Sequence, residues 1–214
     1  MPRTGFDHIA FIYDWLAKLV YGEGILRAAT LGFDEVRQED RMLILGGGTG
    51  KILTFLADGY FPKEIVYIEP SAKMMAKAQK VWASLDVPST VSIKWILGTD
   101  RYLEGKQEYE ILLTPFVLDL FPEAELRKIF LRLHKSLKQG GSWLYADFFL
   151  KNDNYHFLRK GLLGFMYLFF KLICGVENDK LPETDKLFEK YGYIKRRRKE
   201  FSSAMIEGIV YQKP

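Results

Sequence analysis

A run of glycines is the part of this sequence best suited to bind a small molecule. Gly46, Gly47, Gly48 and Gly50 follow the short apolar run Met42–Leu45 and precede a segment with helical spacing. Glycine lets the backbone turn sharply and approach a ligand closely, and a helix N-terminus favours negative or polar groups. The run therefore predicts a binding turn between a strand and a helix.

Two familiar phosphate-binding patterns do not fit this turn. A dinucleotide fingerprint spaced G-x-G-x-x-G from Gly46 requires glycine at position 51, which is Lys51. A P-loop ending in Gly50-Lys51 requires glycine at position 45 and Ser or Thr at position 52, but Leu45 and Ile52 stand there. The run is then a different ligand-binding turn or a plain tight turn, and its place after the first strand favours a ligand.

Two acidic residues extend the same site. Glu69 ends the next predicted strand, 19 residues after Gly50, where a carboxylate can accept both hydroxyl hydrogens of a ribose. Asp100 follows Gly98 and Thr99 after the third strand, where it could accept a hydrogen bond from an adenine amino group or simply mark a turn. Together these spacings point to a ligand that contains adenosine.

Short apolar segments alternate with helical ones along most of the chain. The predicted strands are 42–45, 65–68, 91–97, 109–113, 142–148, 193–201 and 204–211, and the predicted helices are 6–21, 25–33, 51–60, 71–85, 123–138 and 183–190. This alternation predicts an α/β fold with a doubly wound, seven-stranded, mostly parallel sheet. Only Ser202-Ser203 separates the last two strands, so they must form an antiparallel hairpin. Ligands of such sheets bind beyond the carboxyl ends of the strands.

Composition predicts a single domain, 1–214, in a reducing compartment. The chain has 214 residues, is 48% hydrophobic and contains one cysteine, Cys174, which cannot form an internal disulfide. Met1–Phe6 lacks the pattern of a signal peptide. We therefore expect a cytoplasmic protein, with no metal site because no His, Cys and Asp cluster is apparent.

The net charge of +4 is regional. Residues 1–150 carry 18 basic and 19 acidic side chains, whereas residues 151–214 carry 13 and 8. Part of this excess is Lys195–Lys199, which could bind nucleic acid or anionic lipid but reads better as a solvated edge strand. The aromatic segment Tyr155–Cys174 has only Gly161–Phe170 free of charge, too short to span a membrane. Read as a helix, this segment is apolar over most of its circumference and must be covered. The covering surface could be the core, a second subunit, a hydrophobic substrate or a bilayer surface.

At these residues the sequence resembles the class I S-adenosylmethionine-dependent methyltransferases. The resemblance covers about Phe6 to Pro214 and implies a Rossmann-like methyltransferase fold with S-adenosylmethionine as the cofactor and S-adenosylhomocysteine as the product. It implies cofactor contacts from Tyr13, Gly46, Gly47, Gly48, Gly50, Glu69, Pro70, Ser71, Met74, Thr99, Asp100, Thr114, Pro115 and Phe116.

The opening of the chain narrows the resemblance to one branch. Phe6-Asp7-x-Ile9-Ala10-x-x-Tyr13-Asp14 is similar to the ubiquinone/menaquinone-type methyltransferases, whose first helix closes over the cofactor. The resemblance implies lid helices at 1–35 and a substrate-region insertion at about 151–180, both rich in aromatic residues. These imply an apolar or aromatic small-molecule acceptor, such as a quinone precursor or lipid, with peripheral membrane contact or a homodimer as further uses of the aromatic surface.

Two departures from the family pattern leave the chemistry open. Ile44 occupies a position that is often acidic, and Thr114-Pro115-Phe116 replaces the Asn-Pro-Pro-Tyr of amine-directed members. If the acceptor needs a base, the candidates are His8, Asp119, Asp147 and His156. The rival interpretations are a non-catalytic binding protein that keeps the fold, a nicotinamide oxidoreductase, and a nucleic-acid methyltransferase supported only by 195–199.

Overall fold

The computed structural model describes residues 23–149, 182–202 and 205–214. Its helices are α1 (Gly24–Ala29), α2 (Ala72–Ala83), α3 (Glu123–Ser136) and α4 (Thr184–Lys190). Its strands are β1 (Arg41–Leu45), β2 (Glu64–Glu69), β3 (Ser92–Leu97), β4 (Tyr109–Pro115), β5 (Leu137–Phe148), β6 (Ile194–Phe201) and β7 (Ile206–Gln212). Four 3-10 segments, Phe33–Glu35, Lys51–Asp58, Asp100–Tyr102 and Leu118–Leu120, connect these elements.

The strands form one sheet in the order β3-β2-β1-β4-β5-β7-β6. β1 to β5 pair in parallel, and β7 runs antiparallel to both β5 and β6. The predicted α/β class, the mostly parallel sheet and the C-terminal hairpin are confirmed. The order reverses between β1 and β4, so the crevice for a ligand lies at the carboxyl ends of these strands.

Each face of the sheet carries its own hydrophobic core. The first core joins α1, the 3-10 segment Lys51–Asp58 and α2 to one face, and the second joins α3 and α4 to the other. Residues that alternate along β5 belong to different cores: Leu144 lies in the first, Trp143 and Tyr145 in the second. The near-continuous apolar runs of the inner strands follow from this double coverage.

Several predicted boundaries move in the structure. The helix expected to reach Tyr60 is a 3-10 segment that ends at Asp58, because Gly59 adopts a left-handed φ of 107°. β5 begins at Leu137 and not at Ser142. Gly140-Gly141 lies inside this strand as an irregularity, with the Gly140 N–H donating to the Lys213 carbonyl over 3.2 Å.

The basic run lies on β6, an edge strand of the sheet, as the sequence predicts. Its side chains have specific partners. Arg197 contacts Asp34 at 2.6 Å and 2.9 Å, and Arg198 contacts Glu207 at 2.7 Å. Much of the positive charge is therefore balanced locally.

Candidate functional site

The glycine turn stands at the carboxyl end of β1, as predicted. The Gly46 N–H donates to the Ile68 carbonyl of β2 over 2.8 Å, which holds the turn against the next strand. Gly48 has a φ of 62°, and a Cβ built on it would meet nothing within 4 Å. Gly50 has a φ of 80°, and its Cβ would lie 2.6 Å from the Ala78 Cα of α2. The backbone at Gly48 thus faces open space, while close packing on α2 fixes the end of the turn.

Glu69 lies beside this turn at the end of β2 and is only 3% exposed. Its Oε2 accepts the Gly48 N–H over 3.1 Å, and its Oε1 accepts the Ser71 N–H over 3.0 Å. A carboxylate has about four acceptor positions, so these two hydrogen bonds do not by themselves fill the carboxylate of Glu69. The residues present therefore fit the ribose of an adenosine group.

The start of α2 helps to hold the Glu69 side chain in place. Ser71 is the N-cap, as predicted, and its hydroxyl accepts the Met74 N–H over 3.2 Å. Both residues are buried, and Pro70 connects Glu69 to the cap. The strand end, the cap and the first turn of α2 together hold the carboxylate in place.

Tyr67 contacts the glycine turn, although the sequence pattern did not predict this contact. Its hydroxyl donates to the Gly48 carbonyl over 3.1 Å, and burial raises the pKa of the phenol, with the nearby Glu69 carboxylate adding to the rise. Tyr67 precedes Glu69 by two residues, so both side chains leave β2 on the same face. This two-residue spacing could have predicted that Tyr67 lies near Glu69. It was not decisive, because a tyrosine in an apolar strand is equally typical of a core residue.

The loop after β3 separates the two residues expected to meet adenine. Asp100 is buried and forms an ion pair with Arg132 of α3. Thr99 is exposed, and Leu97 before it is 57% exposed. Arg132 was not among the sequence candidates, because nothing in its helix pattern distinguishes it from a surface arginine.

At the end of β4, a buried polar side chain, Thr114, is followed closely by an aromatic one, Phe116. Thr114 is fully buried, and its hydroxyl accepts from the Trp143 indole N–H over 2.9 Å. Pro115 ends the strand, and Phe116 has a φ of 54°, which is uncommon for a residue with a side chain. The Phe116 N–H donates to the Ala146 carbonyl over 2.8 Å, and its ring lies 5.0 Å from that of Phe148. Two aromatic rings thus lie at the adjoining ends of β4 and β5.

Asp119 and Asp147 are brought together but are buried. They are 2% and 0% exposed, and the Asp119 N–H donates to the Asp147 carboxylate over 3.2 Å. Burial raises the pKa of Asp147 well above its usual range, and the neighbouring Asp119 carboxylate raises it further. Since Asp147 has no exposed surface, it cannot contact an acceptor directly and is poorly placed to act as a general base.

The remaining candidates lie outside the described residues: Tyr13, His8 and His156, with most of the predicted lid helices and the insertion at 151–180. The described part of the chain contains no group of His, Cys, Asp and Glu that could hold a metal ion. Within the same residues, no helix is both long and apolar enough to cross a membrane.

Comparison with known proteins finds a family match for the middle of the chain. Residues 42–141, just under half of the chain, match a family described as a methyltransferase domain. No curated protein is significantly similar to the chain.

Solved structures share the fold at low identity. The cyclopropane synthase MmaA2 from Mycobacterium tuberculosis is 14% identical, with a TM-score of 0.66, and the match covers 88% of this chain and 84% of that one. A chain from the complex of the Haloferax volcanii Trm112 methyltransferase activator with a candidate methyltransferase is 14% identical, with a TM-score of 0.68. That match covers 98% of this chain and 97% of the other. An S-adenosylmethionine-dependent methyltransferase from Mesorhizobium loti is 14% identical, with a TM-score of 0.59, and the match covers 89% of this chain and 100% of that one. The fold is thus the Rossmann-like methyltransferase fold, and residues 42–141 match a methyltransferase domain.

Proposed function

We propose that this chain is a methyltransferase that uses S-adenosylmethionine as its cofactor and methylates an apolar or aromatic small molecule. The observation that carries the proposal is the contact between the glycine turn and Glu69. Open space at Gly48 adjoins a buried carboxylate at the carboxyl ends of β1 and β2, next to the point where the strand order reverses. In this fold, that crevice is where a nucleoside ligand binds.

The work left to the protein is mainly positioning. When bound, S-adenosylmethionine supplies a methyl group that its sulfonium has already activated. Glu69 would hold the ribose, the loop Gly98–Asp100 would receive the adenine ring, and the segment Thr114–Phe116 would adjoin the methyl group. Holding an acceptor in line and excluding water can contribute about 7–11 kcal/mol in favourable cases. No dedicated base is required for an acceptor that ionises readily.

Aromatic side chains at the carboxyl edge support an apolar acceptor. The Phe116 and Phe148 rings lie together at the ends of β4 and β5, and the positive φ of Phe116 is a local strain of the kind that clusters at functional sites. Thr114 is fully buried and its hydroxyl accepts from Trp143, so the hydroxyl is not exposed to an amine. These groups favour an aromatic acceptor over an amine.

Further parts of the proposal rest on the sequence. The opening motif with Tyr13 supports the quinone-type branch, and the aromatic segment Tyr155–Cys174 would cover the acceptor or join two copies as a homodimer. Peripheral contact with a membrane would suit an acceptor that partitions into lipid, and we place the protein in the cytoplasm. The solved complex with the Trm112 activator makes an activator protein another partner to consider.

A non-catalytic binding protein is the second candidate. Ile44 is fully buried and apolar, so the polar anchor often found there is missing. Neither Asp119 nor Asp147 presents an exposed base. Such a protein would bind S-adenosylhomocysteine but transfer no methyl group to any acceptor.

A pair of glutamates on β2 provides the test of cofactor binding. Glu69→Gln removes the charge beside the glycine turn, and Glu64→Gln makes the same change at the other end of the strand, where Glu64 pairs with Arg41 at 2.6 Å. We expect calorimetry to give at least tenfold weaker binding of S-adenosylhomocysteine to the Glu69 variant and wild-type binding to the Glu64 variant. Thermal melting without ligand checks that both variants fold.

The outcomes separate the hypotheses. No binding of S-adenosylhomocysteine to the wild-type protein at millimolar concentration would rule out the enzyme. Binding of NAD in its place would favour an oxidoreductase.

A further inference from the structure

The loop after β3 carries two polar side chains with different surroundings. The Asp100 side chain is 9% exposed and pairs with the Arg132 guanidinium of α3. Thr99 is exposed, and its hydroxyl accepts the Arg101 N–H over 3.4 Å, a long and weak hydrogen bond. Asp100 is thus held within the protein, whereas the Thr99 hydroxyl is accessible to a ligand.

The backbone explains why the two side chains diverge. Tyr102 N–H donates to the Thr99 carbonyl over 3.1 Å, and Leu103 N–H donates to the Asp100 carbonyl over 3.0 Å, so the chain bends into the 3-10 segment at this point. Leu103 packs in the core that contains α3, and the Asp100 carboxylate points to the same helix. The Asp100–Arg132 pair therefore anchors the segment to α3.

Thr99 lies close to the rest of the candidate site. β3 pairs with β2 in a register that sets Leu97 opposite Glu69, and the Gly98 N–H donates to the Glu69 carbonyl over 3.2 Å. Thr99 follows directly and is exposed at the carboxyl edge. A ribose held by Glu69 would bring the attached base towards this edge of the sheet.

We propose that Thr99, and not Asp100, is the side chain that contacts the adenine ring, and that Asp100 and Arg132 are positioning residues that hold the loop. The inference rests on the proposed use of S-adenosylmethionine. A hydroxyl can both donate and accept, while a carboxylate can only accept. Thr99 can therefore serve either an amino or a carbonyl group at C6 of the purine, and an ionised Asp100 could serve only the amino group.

Two cofactor products separate these assignments by calorimetry: S-adenosylhomocysteine and S-inosylhomocysteine, in which the C6 amino group is replaced by a carbonyl. We expect the wild-type protein to prefer the adenine compound by less than about tenfold. Thr99→Val should weaken binding of S-adenosylhomocysteine by about three- to tenfold, and Thr99→Ser should restore it. Asp100→Asn should weaken it by less than Thr99→Val does. A larger loss with Asp100→Asn, accompanied by loss of the preference for adenine, would overturn the assignment.

The anchoring role is tested without any ligand, by the melting temperatures of Asp100→Asn, Arg132→Gln and the double variant. The Arg132 side chain is 39% exposed and that of Asp100 only 9%. Removing either partner of this half-buried ion pair should lower Tm by roughly 5 °C, and the double variant should lose little more than one single variant. Additive losses would overturn the anchoring role alone. If the wild-type protein does not bind S-adenosylhomocysteine, the adenine contact fails together with the proposed function, while the melting experiment still decides the anchoring role.

Discussion

Two buried carboxyls at the carboxyl edge of the sheet have opposite surroundings. Glu69 accepts N–H groups from Gly48 and Ser71 and faces the glycine turn. Asp147 lies beside Asp119 and directly across from Glu207 of β7. The sequence identifies both positions as acids at strand ends, but only the packing around them distinguishes the proposed ligand contact of Glu69 from the acid pair of Asp147. Spacing predicts a ribose contact for Glu69 because that contact has a fixed place in this fold, whereas no local pattern shows that Asp147 is buried beside Asp119.

The acid pair makes the stability of the protein depend on pH. The raised pKa of Asp147 means that the folded protein keeps a proton that the unfolded chain loses above about pH 4. The stability from this carboxyl is therefore complete below about pH 4 and falls as pH rises through the folded-state pKa. Among the described residues, Asp119 adds to the rise in the pKa of Asp147, Glu207 lies across from it with a pKa that burial also raises, and Asp147 in turn raises the pKa of the Tyr145 phenol.

Asp147→Asn should remove that dependence, because an amide stays neutral at every pH. We expect the free energy of unfolding, measured with urea from pH 5 to pH 9, to decline less in this variant than in the wild-type protein. Asp86→Asn, at an exposed acid outside the pair, serves as the control and should keep the wild-type profile. Identical profiles for the wild-type protein and Asp147→Asn would contradict the assignment of the proton.

At the scale of elements, close backbone contact joins α1 to the C-terminal hairpin. A Cβ added to Gly208 of β7 would lie 2.6 Å from the Ala28 carbonyl oxygen of α1, which is backbone and cannot rotate away. At Gly98 after β3, an added Cβ would lie 3.8 Å from the nearest atom, an ordinary contact. The two glycines therefore offer a matched pair of substitutions.

Gly208→Ala should destabilise the protein by about 1–3 kcal/mol, because α1 must move off the sheet to admit the methyl group. Gly98→Ala should change the free energy of unfolding by no more than about 0.5 kcal/mol. Urea denaturation monitored by circular dichroism measures both. Equal stability of the two variants would mean that α1 does not pack on β7 at this distance.

Hydrophobic spacing predicted the strands because buried parallel strands leave unmistakable apolar runs. Hydrophobic spacing did not predict the early start of β5. Two consecutive glycines, Gly140 and Gly141, are typical of a loop, but the strand passes through them. The spacing also gave no sign that Lys213 is buried, with its ammonium donating to the His134 and Leu137 carbonyls at 2.7 Å. That contact caps the end of α3 with a residue from the far end of the chain. Such long-range pairing has no local signature.

At the scale of the whole molecule, the faces of the sheet carry the cores and its carboxyl edge carries the candidate site. Both faces are packed with apolar side chains, but the open glycine turn, Glu69 and the Phe116–Phe148 pair all occur at the carboxyl edge. The basic charge lies on edge strand β6, where Asp34 and Glu207 neutralise part of it. Within the described residues this pairing supports the proposed small-molecule acceptor over nucleic acid, whose binding would need uncompensated cations.

Transfer of a labelled methyl group tests the central claim most directly. The full chain is incubated with methyl-labelled S-adenosylmethionine and a mixture of apolar phenols and quinols, with RNA and protein present as competing acceptors. We predict that the label enters the organic-soluble fraction, and that Glu69→Gln reduces the rate at least tenfold at limiting cofactor while Glu64→Gln does not. Label in the RNA or protein fraction, or equal rates for the two variants, would contradict the account.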